Sequence, residues 1–114
     1  MSLSTQTFPM LFGAAQASHV NVSVGTTSTQ ILPALNRANG KRYRVRLENH
    51  GTNPVAIRVG GVATFGTGGE IILAGGSAAN DGKGGFIELD GCQANITGIT
   101  GTGTSNVGVF SISA

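Results

Sequence analysis

A chain of 114 residues fits one compact domain with a modest core. Only 11% of its residues are charged and 19 are glycine, yet short Val/Ile/Leu runs recur throughout, which excludes a disordered chain and indicates a turn-rich, ordered domain. The net charge of +2 and the neutral polar surface suit a free monomer poorly, so residence in an assembly is expected.

Residues 1–18 are apolar, uncharged and without clear period-2 alternation. They read as an N-terminal arm with one helical turn around Met10 to Ala17, or as an ordinary first strand plus loop. As an arm they would expose Phe8, Met10, Leu11 and Phe12, and so should pack on their own domain or on a neighbour, with Phe8, Leu11 and Phe12 as candidate contacts. Ala15-Gln16-Ala17 superficially resembles a signal-peptidase site, but no basic residue precedes it and Pro9 interrupts the apolar stretch. Synthesis in the cytoplasm is expected, and no segment reaches membrane-spanning length.

Residues 19–114 read as a single β domain. In HVNVSVG, Val20, Val22 and Val24 share one face, with Asn21 and Ser23 on the other. STQILPA is a second short strand ending at Pro33, and Asn39-Gly40 is a strong turn signal. Tyr43, Val45 and Leu47 then point one way and Arg42, Arg44, Arg46 and Glu48 the other. After HGTNP, Val55, Ile57 and Val59 continue the apolar face, with Ala56 and Arg58 opposite. Further strands are predicted at Val62–Phe65, Glu70–Leu73, Phe86–Leu89, Gln93–Thr100 and Val107–Ser113. The Gly-rich stretch 74–85 reads as a functional or mobile loop. Many short strands with frequent turns predict an all-β antiparallel sandwich or small barrel, most simply jelly-roll-like.

The charge is polarised along the chain. Arg37, Lys41, Arg42, Arg44, Arg46 and Arg58 stand against Glu48 alone, a net +5, while Lys83 stands against Glu70, Asp81, Glu88 and Asp90, a net −3. Such polarity suits pairing between copies or with an acidic partner. Joined through His50–Pro54 as a hairpin, the two central strands would set Leu47 opposite Ile57, Val45 opposite Val59 and Arg46 beside Arg58. The last is a like-charge pair, unfavourable unless an anion intervenes. Arg42, Arg44, Arg46 and Arg58 are therefore candidate partner-binding residues on a docking face for an acidic protein. The plainer reading is a solvated face compensated by Glu48 and other carboxylates. Only Tyr43 lies among the basic residues, which argues against nucleic acid.

Chemistry is absent at the level of motifs. His19, His50 and Cys92 have no zinc spacing, and a lone cysteine in a β protein is usually a small core residue rather than a nucleophile. One cysteine also precludes an intrachain disulfide. DGKGG fails as a phosphate loop, and Asn80-Asp81-Gly82 lacks the alternating ligands of a calcium loop. The sequons at Asn21 and Asn95 have meaning only on a eukaryotic secretory route. No enzyme, cofactor or metal is expected.

From Ser28 to Gly61 the chain resembles a small β module of structural proteins in tailed bacteriophages. There a strand ending in Pro leads through a basic turn to an xVxLxNxGTNPVxIRxGG hairpin. The matching residues are Ile31, Leu32, Pro33, Arg37, Val45, Leu47, Asn49, Gly51, Thr52, Asn53, Pro54, Val55, Ile57, Arg58, Gly60 and Gly61. The resemblance implies a virion component without catalytic residues. The form it points to is a capsid decoration (cement) protein, dimeric or trimeric, made in the host cytoplasm and bound to the major capsid protein or another virion protein. The alternatives are a tail, neck or fibre component, or a module that binds host glycans; no Trp and a single Tyr weaken the glycan reading.

Overall fold

The alternating segments do form strands. The computed structural model describes residues 16–35, 42–77 and 82–113, which hold eight strands and no helix. These are β1 (Gln16–Val24), β2 (Thr29–Leu32), β3 (Tyr43–Asn49), β4 (Val55–Val59), β5 (Ile71–Leu73), β6 (Phe86–Cys92), β7 (Ile96–Thr100) and β8 (Ser105–Ser113). The chain pairs as a nested antiparallel ladder, β1 with β8, β2 with β7, β3 with β6 and β4 with β5. Rolling up this ladder adds the pairs β3·β8 and β4·β7. Two four-stranded sheets result, a first of order β1-β8-β3-β6 and a second of order β2-β7-β4-β5. This arrangement is an eight-stranded jelly roll, a sandwich of two antiparallel sheets as the sequence pattern predicts.

The core lies between the sheets. The first sheet contributes Val24, Val45, Leu47, Val107 and Val109, and the second Ile31, Leu32, Val55, Ile57, Leu73 and Ile96. Alternation had placed Val24, Val45, Leu47, Val55 and Ile57 on these apolar faces, because a side-chain period of two fixes the face whichever neighbour the strand finds. Val20 and Val59 are exceptions: expected on the apolar faces, they are 48% and 39% exposed, on edge strand β1 and at the end of β4.

The expected hairpin does not form. β3 and β4 lie in different sheets, so Leu47 and Ile57 meet across the core rather than side by side, and Arg46 is not next to Arg58. Electrostatics favours this outcome. A hairpin would oppose two guanidinium groups, whereas the jelly roll sets Arg44 beside Asp90 and Arg46 beside Glu88.

The turn 50–54 is instead a corner that carries the chain from one sheet to the other, and Asn49 holds it. That side chain is fully buried. Its Nδ2 donates to the carbonyls of Asn53 (2.8 Å) and Leu73 (3.1 Å), while its Oδ1 accepts from the Gly51 amide (3.0 Å) and the Ser105 hydroxyl (2.6 Å). A Cβ on Gly51 would overlap Ser105, and one on Gly75 would overlap the Thr52 carbonyl. Glycine at 51 and 75 thus permits the close backbone approach. The described ends of the Gly-rich loop are pinned at the same corner: Gly76 N–H donates to Gly51 and Gly84 N–H to Asn49.

Two further expectations are corrected. No strand forms at Val62–Phe65; residues 60–70 instead fold across the outside of the second sheet, burying Ala63 and leaving Val62 67% exposed. β1 begins at Gln16, so Gln16 and Ala17 belong to a strand rather than to a helical turn. The arm residues Phe8, Met10, Leu11 and Phe12, the Asn39-Gly40 turn and Arg37, Lys41 and Asp81 lie outside the described residues.

Candidate docking face

The outer faces of the two sheets differ. The second is partly occupied by its own chain. Thr97 Oγ1 donates to the Gly61 carbonyl (3.1 Å), the Ala63 amide donates to Ser28 Oγ (3.0 Å), and the Phe65 ring lies against Gly101. Arg58 sits on this side, where its Nε donates to the Gly60 carbonyl (3.2 Å) and its guanidinium lies against Gly61. It braces the Gly-Gly turn and is separated by the whole sandwich from Arg44 and Arg46.

The outer face of the first sheet carries cross-strand rows. One reads His19–Phe110–Arg46–Glu88, and the rows beside it read Ile112–Arg44–Asp90 and Asn21–Gly108–Glu48–Phe86. Arg46 is the centre. Its Nη1 lies 2.9 Å from Glu88 Oε2, its Nη2 3.8 Å from Glu48 Oε2, and its Cζ 4.0 Å from the centroid of the Phe86 ring. That last contact is a cation–π stack. Arg44 Nη2 lies 3.2 Å from Asp90 Oδ2, and Arg42 donates to the Gly91 carbonyl at 3.3 Å. His50 Nε2 approaches Glu48 Oε1 at 3.5 Å, and His19 meets Phe110 edge-on at 6.2 Å.

Part of the charge polarity of the sequence is thus met within the domain, Arg44 and Arg46 of β3 against Asp90 and Glu88 of β6. Exposed pairs of this kind contribute about 0–1 kcal/mol each, so they orient the arginines more than they hold the fold together. Above the charges stand two open aromatic rings, Phe86 at 54% and Phe110 at 43% exposure. A broad face combining aromatic rings and arginine has the composition of a protein interface. It contains the predicted Arg42, Arg44 and Arg46 and excludes Arg58, while Phe8, Leu11 and Phe12 lie outside the described residues. Phe86 and Phe110 were missed because both faces of FIELD and NVGVFSIS carry apolar residues, so alternation does not say which face turns outward. The signal was Glu88 and Asp90, in phase with Phe86.

Cys92 is a half-buried free thiol at the end of β6, donating weakly to the Ala94 carbonyl at 3.5 Å. Among the described residues, no three His, Cys, Asp or Glu side chains converge as a metal site. Among the same residues, no helix is long and apolar enough to cross a membrane.

At the far end of β4 and β5, Glu70 closes the loop 64–69. Its Oε2 accepts from the amides of Gly66 and Thr67, the latter at 3.0 Å. Its own amide is the largest influence holding its carboxyl below the ordinary range. Desolvation opposes this, and the amides of Gly66, Thr67 and Gly68 add to the lowering. A lowered folded-state value means that the contribution is present above the unfolded pKa and is lost as pH falls through the folded one. The amide resonances of Gly66 and Thr67 should therefore shift together on acidification below the usual carboxylate range, and Glu70→Gln should change them at neutral pH. Resonances indifferent to both would show that the loop closes without the carboxylate.

No family model matches the chain, and no curated protein matches it. Among solved structures, it is similar to a chain from Bacillus endospore appendages, described as a novel family of disulfide-linked pili. The TM-score is 0.54 at 20% sequence identity, covering 87% of this chain and 82% of that one. At that identity the likeness is one of fold.

Proposed function

We propose that the protein is a non-enzymatic structural subunit that docks through the outer face of its first sheet onto a multi-copy protein assembly. The observation that carries this is the exposed pair Phe86 and Phe110 set over the Arg44, Arg46, Glu88 and Asp90 ladder. The rings supply apolar area at low conformational cost, and the charges around them fix register and exclude wrong partners. In its specific form the proposal is a capsid decoration protein of a tailed bacteriophage, bound to the major capsid protein. The phage-like stretch from Ser28 to Gly61 supports this form.

A second reading is a subunit of a fibrous appendage, favoured by the fold it shares with the Bacillus pilus chain. A disulfide-linked polymer needs two cysteines per subunit, and these 114 residues contain only Cys92. On this reading the contacts along the fibre are non-covalent. Quantitative mass spectrometry of purified capsid, tail and fibre fractions tests both readings. The expected result is a copy number in fixed ratio to the major capsid protein. Recovery of the chain with tails or fibres alone would overturn the decoration form.

A further inference from the structure

The two sheets have four edge strands, and three are blunted by devices that discourage strand addition. β2 has four residues, breaks register between Gln30 and Leu32, and runs into Pro33. β5 has three residues. β6 displays Glu88 and Asp90 and ends in a bulge at Gly91, whose φ is 75°. β1 has none of these features. It makes nine consecutive pairs with β8 without a register shift, and QASHVNVSV contains no proline, glycine, aspartate, glutamate, lysine or arginine. Among the described residues no strand lies on its open side. Val20, which points toward the core side, is nevertheless 48% exposed, whereas Val24 is fully buried.

We propose that β1 is a self-association edge, to which a second copy adds its own β1 antiparallel across a two-fold axis. The two first sheets then join into one sheet of eight strands. The sequence of β1 is what selects a second copy as the occupant. Inward residues are the even-numbered ones, so only registers that pair even with even keep both cores on the same side. With Asn21 on the axis, Val20 meets the partner's Val22 and Val22 meets the partner's Val20, which covers the exposed valine twice. On the outer side His19 meets the partner's Ser23 and Asn21 meets the partner's Asn21, with no like charges opposed. The inference stands apart from the docking face, since it uses a different surface and holds for a decoration protein or a fibre subunit alike. It also places two copies of the Phe86–Phe110 face on one side of the joined sheet.

Analytical ultracentrifugation of the full chain through the micromolar range tests it. A dimer is expected, with Val20→Lys weakening dimerisation at least about tenfold. Asn21→Lys, on an exposed outward position, keeps the fold and opposes two lysines on the axis, so its loss of dimer should be relieved by high salt. A monomeric wild type, as when residues 1–15 of the same chain cover the edge, would overturn the proposal. So would a trimer, or an assembly indifferent to both substitutions.

Discussion

Replacing Asn49 by Ala is expected to lower the melting temperature by at least about 12 °C, corresponding to a loss of about 3 kcal/mol or more in a domain of this size. The Asn49 amide uses both of its donors and both of its acceptor positions, on Asn53, Leu73, Gly51 and Ser105. These partners come from the corner turn, β5 and β8, so one buried side chain joins the two sheets at the point where the chain crosses between them. Alanine would strand the Leu73 carbonyl and the Ser105 hydroxyl in the interior, each at about 1–3 kcal/mol, and would leave a void besides. Total stability of a small domain is only about 5–15 kcal/mol. Asn49→Asp should be at least as damaging, because it exchanges two donors for a buried charge facing two carbonyls. Asn53→Ala is the control: it removes one exposed side-chain bond, to the Thr104 carbonyl at 2.9 Å, and should shift melting only slightly. A melting temperature for Asn49→Ala within a few degrees of wild type would show that the corner is held by its backbone contacts alone.

Asn49 also marks where the sequence stopped being readable. Val45, Leu47, Val55 and Ile57 could be assigned to the core because alternation states which side of a strand is inside. It does not state which strand is the neighbour. HGTNP looks like a hairpin turn because its local chemistry is that of a turn. What makes it a corner is a set of partners 24 and 56 residues away, Leu73 and Ser105. The intrachain partners of the arginines were hidden for the same reason. The imbalance between Arg44, Arg46 and the later acids was legible, but not which carboxylates they meet, because Glu88 and Asp90 lie more than forty residues further on and reach β3 only through the fold. Val62–Phe65 was misread for a different reason. A short run of β-formers has the same composition in a strand as in a segment laid over the back of a sheet. The neutral edge of β1 was visible as composition, and became informative only beside three edges that carry a bulge, a charge or a short length.

Reversing both arginines of β3, Arg44→Glu with Arg46→Glu, is expected to weaken docking on purified capsids at least about tenfold, because like charges across an interface cost several kcal/mol. The same change should lower the melting temperature by only a few degrees, since both pairs are exposed and each contributes less than about 1 kcal/mol. The double variant alone is ambiguous, for it also turns the Glu88–Asp90 ladder into a row of like charges. A fourfold exchange, adding Glu88→Arg and Asp90→Arg, restores opposite charges in both rows and leaves the net charge of the chain unchanged. Melting should then recover while docking stays lost, because the partner meets each charge at the wrong place and Phe86 no longer carries Arg46 over its ring. Arg58→Glu, on the opposite outer face, should leave docking intact. Wild-type docking should itself weaken with added salt, as exposed charges are screened over about 10 Å near 0.1 M. If docking returns together with melting in the fourfold variant, the arginines serve only the ladder within their own sheet. If the double variant stays folded and docks as well as wild type, the arginines are a solvated row and take no part in holding the partner.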